Sequence, residues 1–178
     1  MTIKLADDDF TLFALPRRFT LDRDALDAQW RALQAQVHPD RHAAQGSAAQ
    51  RVAMQWAVRV NEAYQRLKSP LRRAAYLCEL RGHPVDAERN TAMPAEFLHQ
   101  QMAWREALEE AADADAIDAL ADELLAHERS LLERMAALLD DDAGDTAAAA
   151  AAVRELMFLE RFRHDIDRRA EALEPTSR

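Results

Sequence analysis

Apolar side chains recur every three or four residues along most of this chain, and no stretch alternates apolar and polar residues as a surface strand would. Because one turn of α-helix takes about 3.6 residues, this period places the apolar side chains on one face of each helix. Glycine, which weakens helices, occurs only 3 times in 178 residues, whereas the strong helix former alanine is abundant. The pattern therefore predicts an all-α fold.

Prolines and capping residues divide the chain into seven predicted helices. A short apolar helix begins near Phe10 and stops at Pro16. A second helix starts after a capping hydroxyl at Thr20 and ends before Pro39, since the residue preceding a proline disfavours the α conformation. Ser47 opens a third helix with the pattern of a capping box. The later helices are predicted at about 70–82, 94–112, 114–139 and 146–173.

The lengths of these helices predict two parts. Two long helices joined by a short loop near the N-terminus should lie antiparallel as a hairpin, and three long helices with short loops should form a three-helix bundle. We expect the hairpin domain over 1–76, a helix end and linker over 77–93, and the bundle over 94–178. The predicted core of the hairpin comprises Leu26, Trp30, Leu33, Val37, Val52, Trp56, Val60, Ala63, Tyr64 and Leu67.

Charge is divided unevenly between these parts. Residues 1–76 carry 12 basic and 8 acidic side chains, whereas residues 77–178 carry 11 and 24. The acidic second part should repel phosphates, which argues against nucleic acid as its ligand. The single cysteine, Cys78, permits no disulfide within the chain and no cysteine pair for a metal. No signal core or membrane span is visible, so we predict a cytoplasmic protein without membrane contact, metal or cofactor.

The sequence His38-Pro39-Asp40 stands where the second helix stops and a polar loop begins. Proline stiffens the turn, so the imidazole and the carboxylate should project from one corner and be able to pair with a partner protein. Catalysis by these two groups would need a nucleophile that no other motif supplies. A metal site including His42 would have three ligands and no fourth nearby, and a solvated loop in an unrelated helical protein is also possible.

The order of a short helix, an amphipathic helix, this turn, a polar loop and a long helix resembles the J domain of DnaJ-type co-chaperones. The resemblance implies docking on a DnaK-type chaperone and stimulation of its ATP hydrolysis. Ala32 and Gln36 stand where generalist J domains often carry basic residues, which favours a dedicated partner. The implied chaperone-binding residues are His38, Pro39, Asp40, Arg41 and Arg31.

Nearly the whole chain is similar to the HscB family of iron–sulfur cluster co-chaperones, on the segments 10–16, 69–77, 97–110 and 154–159. That resemblance implies two partners, the chaperone HscA and the iron–sulfur scaffold protein IscU, and no catalytic residue in the chain itself. His99 and Ala103 depart from the family's apolar and acidic pattern. The implied scaffold-binding residues are Leu98, Met102, Glu106, Glu110 and Phe158.

The helical periodicity gives independent positions for three of these residues. Leu98 and Met102 lie roughly 100–140° around the helix from the apolar stripe of Phe97 and Trp104, so they should sit at its flank or surface. Phe158 points away from the main stripe of the last helix, and it is either core in a wider bundle or a contact residue. A generic J-domain protein with another client is the alternative function, and the oligomeric state is open.

Overall fold

The computed structural model describes residues 4–37, 46–86, 93–141 and 143–173. Within these ranges every regular element is a helix, which confirms the predicted all-α fold, and no helix is long and apolar enough to cross a membrane. Each observed helix lies within about two residues of a predicted one at most of its ends. The helices are α1 Asp9–Leu12, α2 Arg23–Val37, α3 Ser47–Lys68, α4 Pro70–Leu80, α5 Ala95–Glu110, α6 Ala114–Leu139 and α7 Thr146–Leu173.

The chain forms two compact units, Met1–Leu77 and Cys78–Arg178. The first contains α1, α2, α3 and most of α4, and the second contains the last residues of α4 together with α5, α6 and α7. The predicted boundaries of the hairpin domain, the linker and the bundle remain predictions. The division into two units describes how the helices pack, and it does not show which residues bind partners.

Carboxylates, rather than hydroxyls, cap the starts of several helices. The Asp22 carboxylate accepts the backbone N–H groups of residues 24 and 25, so Asp22 caps α2, two residues after the predicted Thr20. The N-cap of α3 is Gly46, without a side-chain cap, so the capping box predicted at Ser47 does not form. Asp113 and Asp145 cap α6 and α7 by accepting backbone N–H groups three residues ahead. Acids at these positions also interact favourably with the helix dipole.

The first unit is built on the α2–α3 hairpin. Leu26 and Leu33 of α2 and Val60 and Leu67 of α3 are buried, as their spacing predicts. Val52, in contrast, is 51% exposed, and its neighbour Ala53 is buried instead. The prediction for Val52 is therefore wrong. The side of α3 that faces the core carries the next residue, about 100° further around the helix.

A buried carboxylate fastens α1 to the hairpin. Asp9 has no exposed surface, and its carboxylate lies 2.7 Å from a guanidinium nitrogen of Arg59 and 2.9 Å from one of Arg66. Its backbone N–H donates to the hydroxyl of Tyr76 at 3.1 Å. A buried charge is tolerated only when it is paired in this way, so these contacts fix where α1 lies on α3 and α4.

In the second unit the chain after α4 is held against the helices of the bundle. α4 ends in a Schellman motif, with His83 N–H donating to the Cys78 carbonyl and Gly82, at φ 79°, adopting the left-handed conformation. The Arg81 guanidinium donates to the carbonyls of Leu139 and Asp141 at the end of α6. These hydrogen bonds satisfy backbone carbonyls that have no hydrogen-bond partner within the helix at its C-terminal end.

The turn between α6 and α7 requires a glycine. A Cβ atom added at Gly144 would lie 2.1 Å from the Leu138 carbonyl oxygen, a separation that no side chain permits. This close approach turns the chain between α6 and α7, and the two helices then pack along apolar faces that are largely those predicted. The buried members of these faces include Ile117, Leu120, Leu124, Leu131, Met135, Val153, Leu156, Leu159 and Ile166.

We predict that Asp9→Asn lowers the free energy of unfolding by about 2–3 kcal/mol, because two guanidinium groups lose their buried counter-charge. Urea unfolding followed by circular dichroism measures this loss. Glu62→Gln is the matched control, since Glu62 is an exposed acid on α3. Equal midpoints for the two variants would show that the Asp9 cluster does not hold the first unit together.

Candidate functional site

The predicted chaperone-binding turn cannot be placed, because His38, Pro39, Asp40 and Arg41 lie outside the described residues. Arg31 is described, and it is exposed on α2. The chaperone-binding role of all five residues therefore remains a prediction.

Contacts between α2 and α3 determine which side of α2 faces solvent. Trp30 stacks on Tyr64 with ring centroids 4.7 Å apart, and its indole N–H donates to the Asn61 side chain at 3.1 Å. The Tyr64 hydroxyl donates to the Asp27 carboxylate and accepts from Arg23. These bonds hold the Trp30 side of α2 against α3. Arg31, the next residue around the helix, is consequently presented to solvent.

One face of α5 carries apolar and acidic side chains without a covering element. Leu98 is 45% exposed and Met102 69% exposed, which confirms that both lie at the surface. Glu106 and Glu110 follow at intervals of four residues, and both are exposed. We call these four residues the α5 face. Two large apolar side chains one helical turn apart and beside two carboxylates form a surface suited to protein contact.

Phe158 lies in the interior, although the periodicity of α7 places it away from the main stripe. Its residue is only 7% exposed, and its ring meets Phe97 edge to face at 5.7 Å and stacks on Phe162 at 5.6 Å. The alternative of a core residue in a wider bundle is therefore the correct one. α5 packs on a second side of α7, which a single-stripe interpretation omits. A role for Phe158 in scaffold binding remains a prediction.

His127 belongs to the same aromatic cluster, although no sequence pattern indicates this. Its ring stacks on Phe97 at 5.7 Å and meets Trp104 edge to face at 5.1 Å. Burial lowers the pKa of His127 below its ordinary value, while the nearby Glu155 carboxylate raises it by a smaller amount. The Trp104 indole N–H donates to Glu123 at 2.8 Å. A lone histidine on a polar stretch of α6 carries no pattern that predicts these contacts.

A groove of about 430 Å³ runs between α5 and α7. Phe158 and Phe162 lie along it, and Leu98 of the α5 face lies at its border with solvent. Its lining includes more basic than acidic side chains, although it belongs to the acidic part of the chain. The basic residues of the groove are Arg105, Arg154 and Arg161.

Neither unit offers a metal site within the described ranges, since no group of three or more histidine, cysteine or acidic side chains converges there. Cys78 is fully buried, and burial raises the pKa of its thiol to about 11. The thiol is therefore protonated at neutral pH, and a protonated, buried thiol is a poor nucleophile and a poor metal ligand.

A helical hairpin followed by a three-helix bundle with an exposed apolar and acidic face is the architecture of an all-helical co-chaperone. The model of the HSCB C-terminal oligomerisation domain matches residues 93–167. The chain is 54% identical to the "Co-chaperone protein HscB homolog" of Burkholderia multivorans, over 97% of this chain and 99% of that one. The corresponding protein of Paraburkholderia xenovorans is 55% identical over 96% and 98%.

Two solved structures agree with this assignment. The chaperone HscB from Vibrio cholerae has a TM-score of 0.78 and 35% identity, over 94% of this chain and 99% of that chain. Human co-chaperone protein HscB has a TM-score of 0.85 over 94% and 84%, and at 23% identity it supports the fold alone. The chain belongs to the HscB co-chaperone family. It is a co-chaperone of iron–sulfur cluster biogenesis, with a J-domain hairpin and a C-terminal helical bundle as predicted.

We predict that Phe158→Ala costs about 3–5 kcal/mol of stability in the second unit, because it leaves a cavity among three other aromatic rings. Leu98→Ala should change stability by less than about 0.5 kcal/mol, since that side chain is half exposed. Chemical denaturation with tryptophan fluorescence measures both. Equal stabilities for the two variants would contradict the buried position of Phe158.

We predict that stability falls on acidification through His127. The folded protein keeps the imidazole neutral with a lowered pKa, whereas the unfolded chain binds a proton near pH 6.5. The contribution of His127 is therefore complete above about pH 6.5 and is lost as the pH falls through the lowered folded-state pKa. His127→Gln should lose less stability between about pH 7.5 and pH 5.5 than the wild type.

Urea unfolding at the two pH values provides the measurement. His164→Gln is the control, because His164 is an exposed histidine on α7. If His127→Gln and His164→Gln lost stability equally on acidification, the partial burial of His127 would have no effect on its titration.

Proposed function

We propose that the J domain of this chain stimulates ATP hydrolysis by the dedicated DnaK-type chaperone HscA, while its C-terminal bundle delivers the scaffold protein IscU. The chaperone would contact the exposed Arg31 and the turn beyond the end of α2. The scaffold would contact the α5 face. The chain itself makes and breaks no bonds, needs no cofactor and works in the cytoplasm.

The exposed apolar surface on α5 is the observation that carries this proposal. Leu98 and Met102 expose 45% and 69% of their surface while Phe97 and Trp104 of the same helix are buried. An apolar pair presented in this way favours association, because covering it removes apolar surface from water.

The acidic residues of the α5 face have a different role. Glu106 and Glu110 are exposed, so their attraction to a basic partner is screened by salt and adds little affinity. Their field acts at longer range than contact does, and it orients an approaching partner before the apolar side chains meet. We therefore assign affinity mainly to Leu98 and Met102 and steering mainly to the two carboxylates.

Carrying both sites on one chain gives the adaptor its effect. Once the J domain is bound to the chaperone, the scaffold held on α5 is at a high effective concentration beside it. The chain thereby couples ATP hydrolysis to one client without any catalytic group of its own.

We predict that His38→Gln abolishes most of the stimulation of HscA ATPase, because the imidazole of the His38-Pro39-Asp40 motif is lost, while scaffold binding is unchanged. Steady-state phosphate release measures stimulation, and isothermal titration calorimetry measures scaffold binding. Full stimulation by His38→Gln would remove the J-domain part of the proposal.

We also predict that Leu98→Ala and Met102→Ala each weaken scaffold binding by about tenfold, in line with the loss of an apolar contact in an interface. Leu125→Ala is the matched control, since Leu125 is 47% exposed on α6, away from the α5 face. Equal affinities for Leu98→Ala and Leu125→Ala would exclude the α5 face. No binding by the wild type would point to a different client.

A further inference from the structure

The groove between α5 and α7 has the opposite sign of charge from the unit that contains it. Residues 78–178 carry 11 basic and 24 acidic side chains, yet three of the 11 converge on this one groove. The acidic residue in its lining is Asp165, which forms an ion pair with Arg168. The groove is consequently a positively charged strip within an acidic surface, and it attracts a negatively charged group.

Two of the three arginines have unused capacity for an ion pair. Arg105 is exposed and lies over the Phe158 ring, 5.8 Å from its centroid. Arg161 donates through Nε to the Met157 carbonyl at 3.2 Å. Within the described part of the chain neither guanidinium pairs with a carboxylate.

The third arginine is part of the wall rather than a mobile side chain. Arg154 is only 8% exposed, and its guanidinium donates to the Val85 carbonyl at 3.3 Å. Its charge is therefore fixed in place beneath the groove. A fixed charge in a half-enclosed position loses less entropy on binding than a free surface arginine does, and it is less screened by salt.

The surface of the groove combines these charges with aromatic rings. Phe158 and Phe162, which are largely buried, form the apolar floor of the groove, and the guanidinium groups of Arg105 and Arg161 stand beside them. A guanidinium can receive a carboxylate through two parallel hydrogen bonds. The combination fits a carboxylate side chain with apolar neighbours, on a segment of protein.

We propose that the groove binds an acidic side chain of the scaffold protein, with Arg105 and Arg161 receiving its carboxylate and Leu98 covering the adjacent apolar residues. This inference rests on the proposed scaffold-binding function and adds the chemistry of the partner. Glu106 directly follows Arg105 in α5 and therefore points about 100° around the helix from it, so the partner presents a carboxylate to the groove and basic groups to the neighbouring acidic flank of α5. Such an alternating pattern fixes the orientation in which the two proteins meet.

Calorimetry with the purified scaffold protein tests the proposal on the full chain. Arg105→Gln and Arg161→Gln should each raise the Kd about fivefold to tenfold, and each should reduce the dependence of Kd on salt. Arg129→Gln is the matched control with the same change in net charge, because Arg129 is exposed on α6 outside the groove. It should bind as the wild type does.

The outcomes separate this inference from the proposed function. If Leu98→Ala weakens binding while Arg105→Gln and Arg161→Gln bind like Arg129→Gln, the groove proposal is overturned and the scaffold function stands. If the wild type does not bind the scaffold, both are overturned. Analytical ultracentrifugation adds one further outcome: loss of self-association in Arg105→Gln and Arg161→Gln would assign the groove to a second copy of the chain and overturn scaffold binding there.

Discussion

The packing of α5 onto α7 through aromatic rings is the constraint on which the exposed α5 face depends. Phe97 meets Phe158 edge to face at 5.7 Å, and Trp104, 2% exposed, stacks on Phe162. These contacts fix the rotation of α5 about its own axis. A rotation of one residue, or about 100°, would bury Leu98 and expose Phe97. The exposed α5 face is therefore a direct consequence of where the aromatic rings lie.

The division of charge follows the division into units. The first unit carries a buried carboxylate fastened by two arginines, and its net charge is positive. The second unit is strongly acidic outside the groove between α5 and α7. Two partners of different surface charge can thus be attracted to different parts of one chain, which is what an adaptor requires.

The sequence predicted the long helices well because each of them has a regular apolar stripe and a capping residue or proline near an end. The sequence-based prediction failed at positions whose burial depends on tertiary contacts. Phe158 is buried because α5 covers a second side of α7, which a stripe on one helix cannot reveal. Val52 is exposed because Ala53, and not Val52, lies on the side of α3 that faces the core.

The candidate site was predictable in part, because helical periodicity indicates which residues of α5 face solvent. Leu98 and Met102 were placed at the surface by their angle to the stripe of α5, and that placement is confirmed. Arg105 of α5 precedes Arg154 and Arg161 of α7 by 49 and 56 residues, so only the folded chain brings it together with them. The His-Pro-Asp turn came from motif order, and its placement lies outside the described residues.

The proposed function requires both binding sites to reside on one chain. A mixture of His38→Gln and the double variant Leu98→Ala/Met102→Ala contains one intact copy of each function on separate molecules. Measured as scaffold-dependent stimulation of chaperone ATPase, this mixture should stay close to the level of either variant alone, because neither molecule can bring the scaffold to the chaperone. Stimulation by the mixture equal to that of the wild type would contradict the adaptor account.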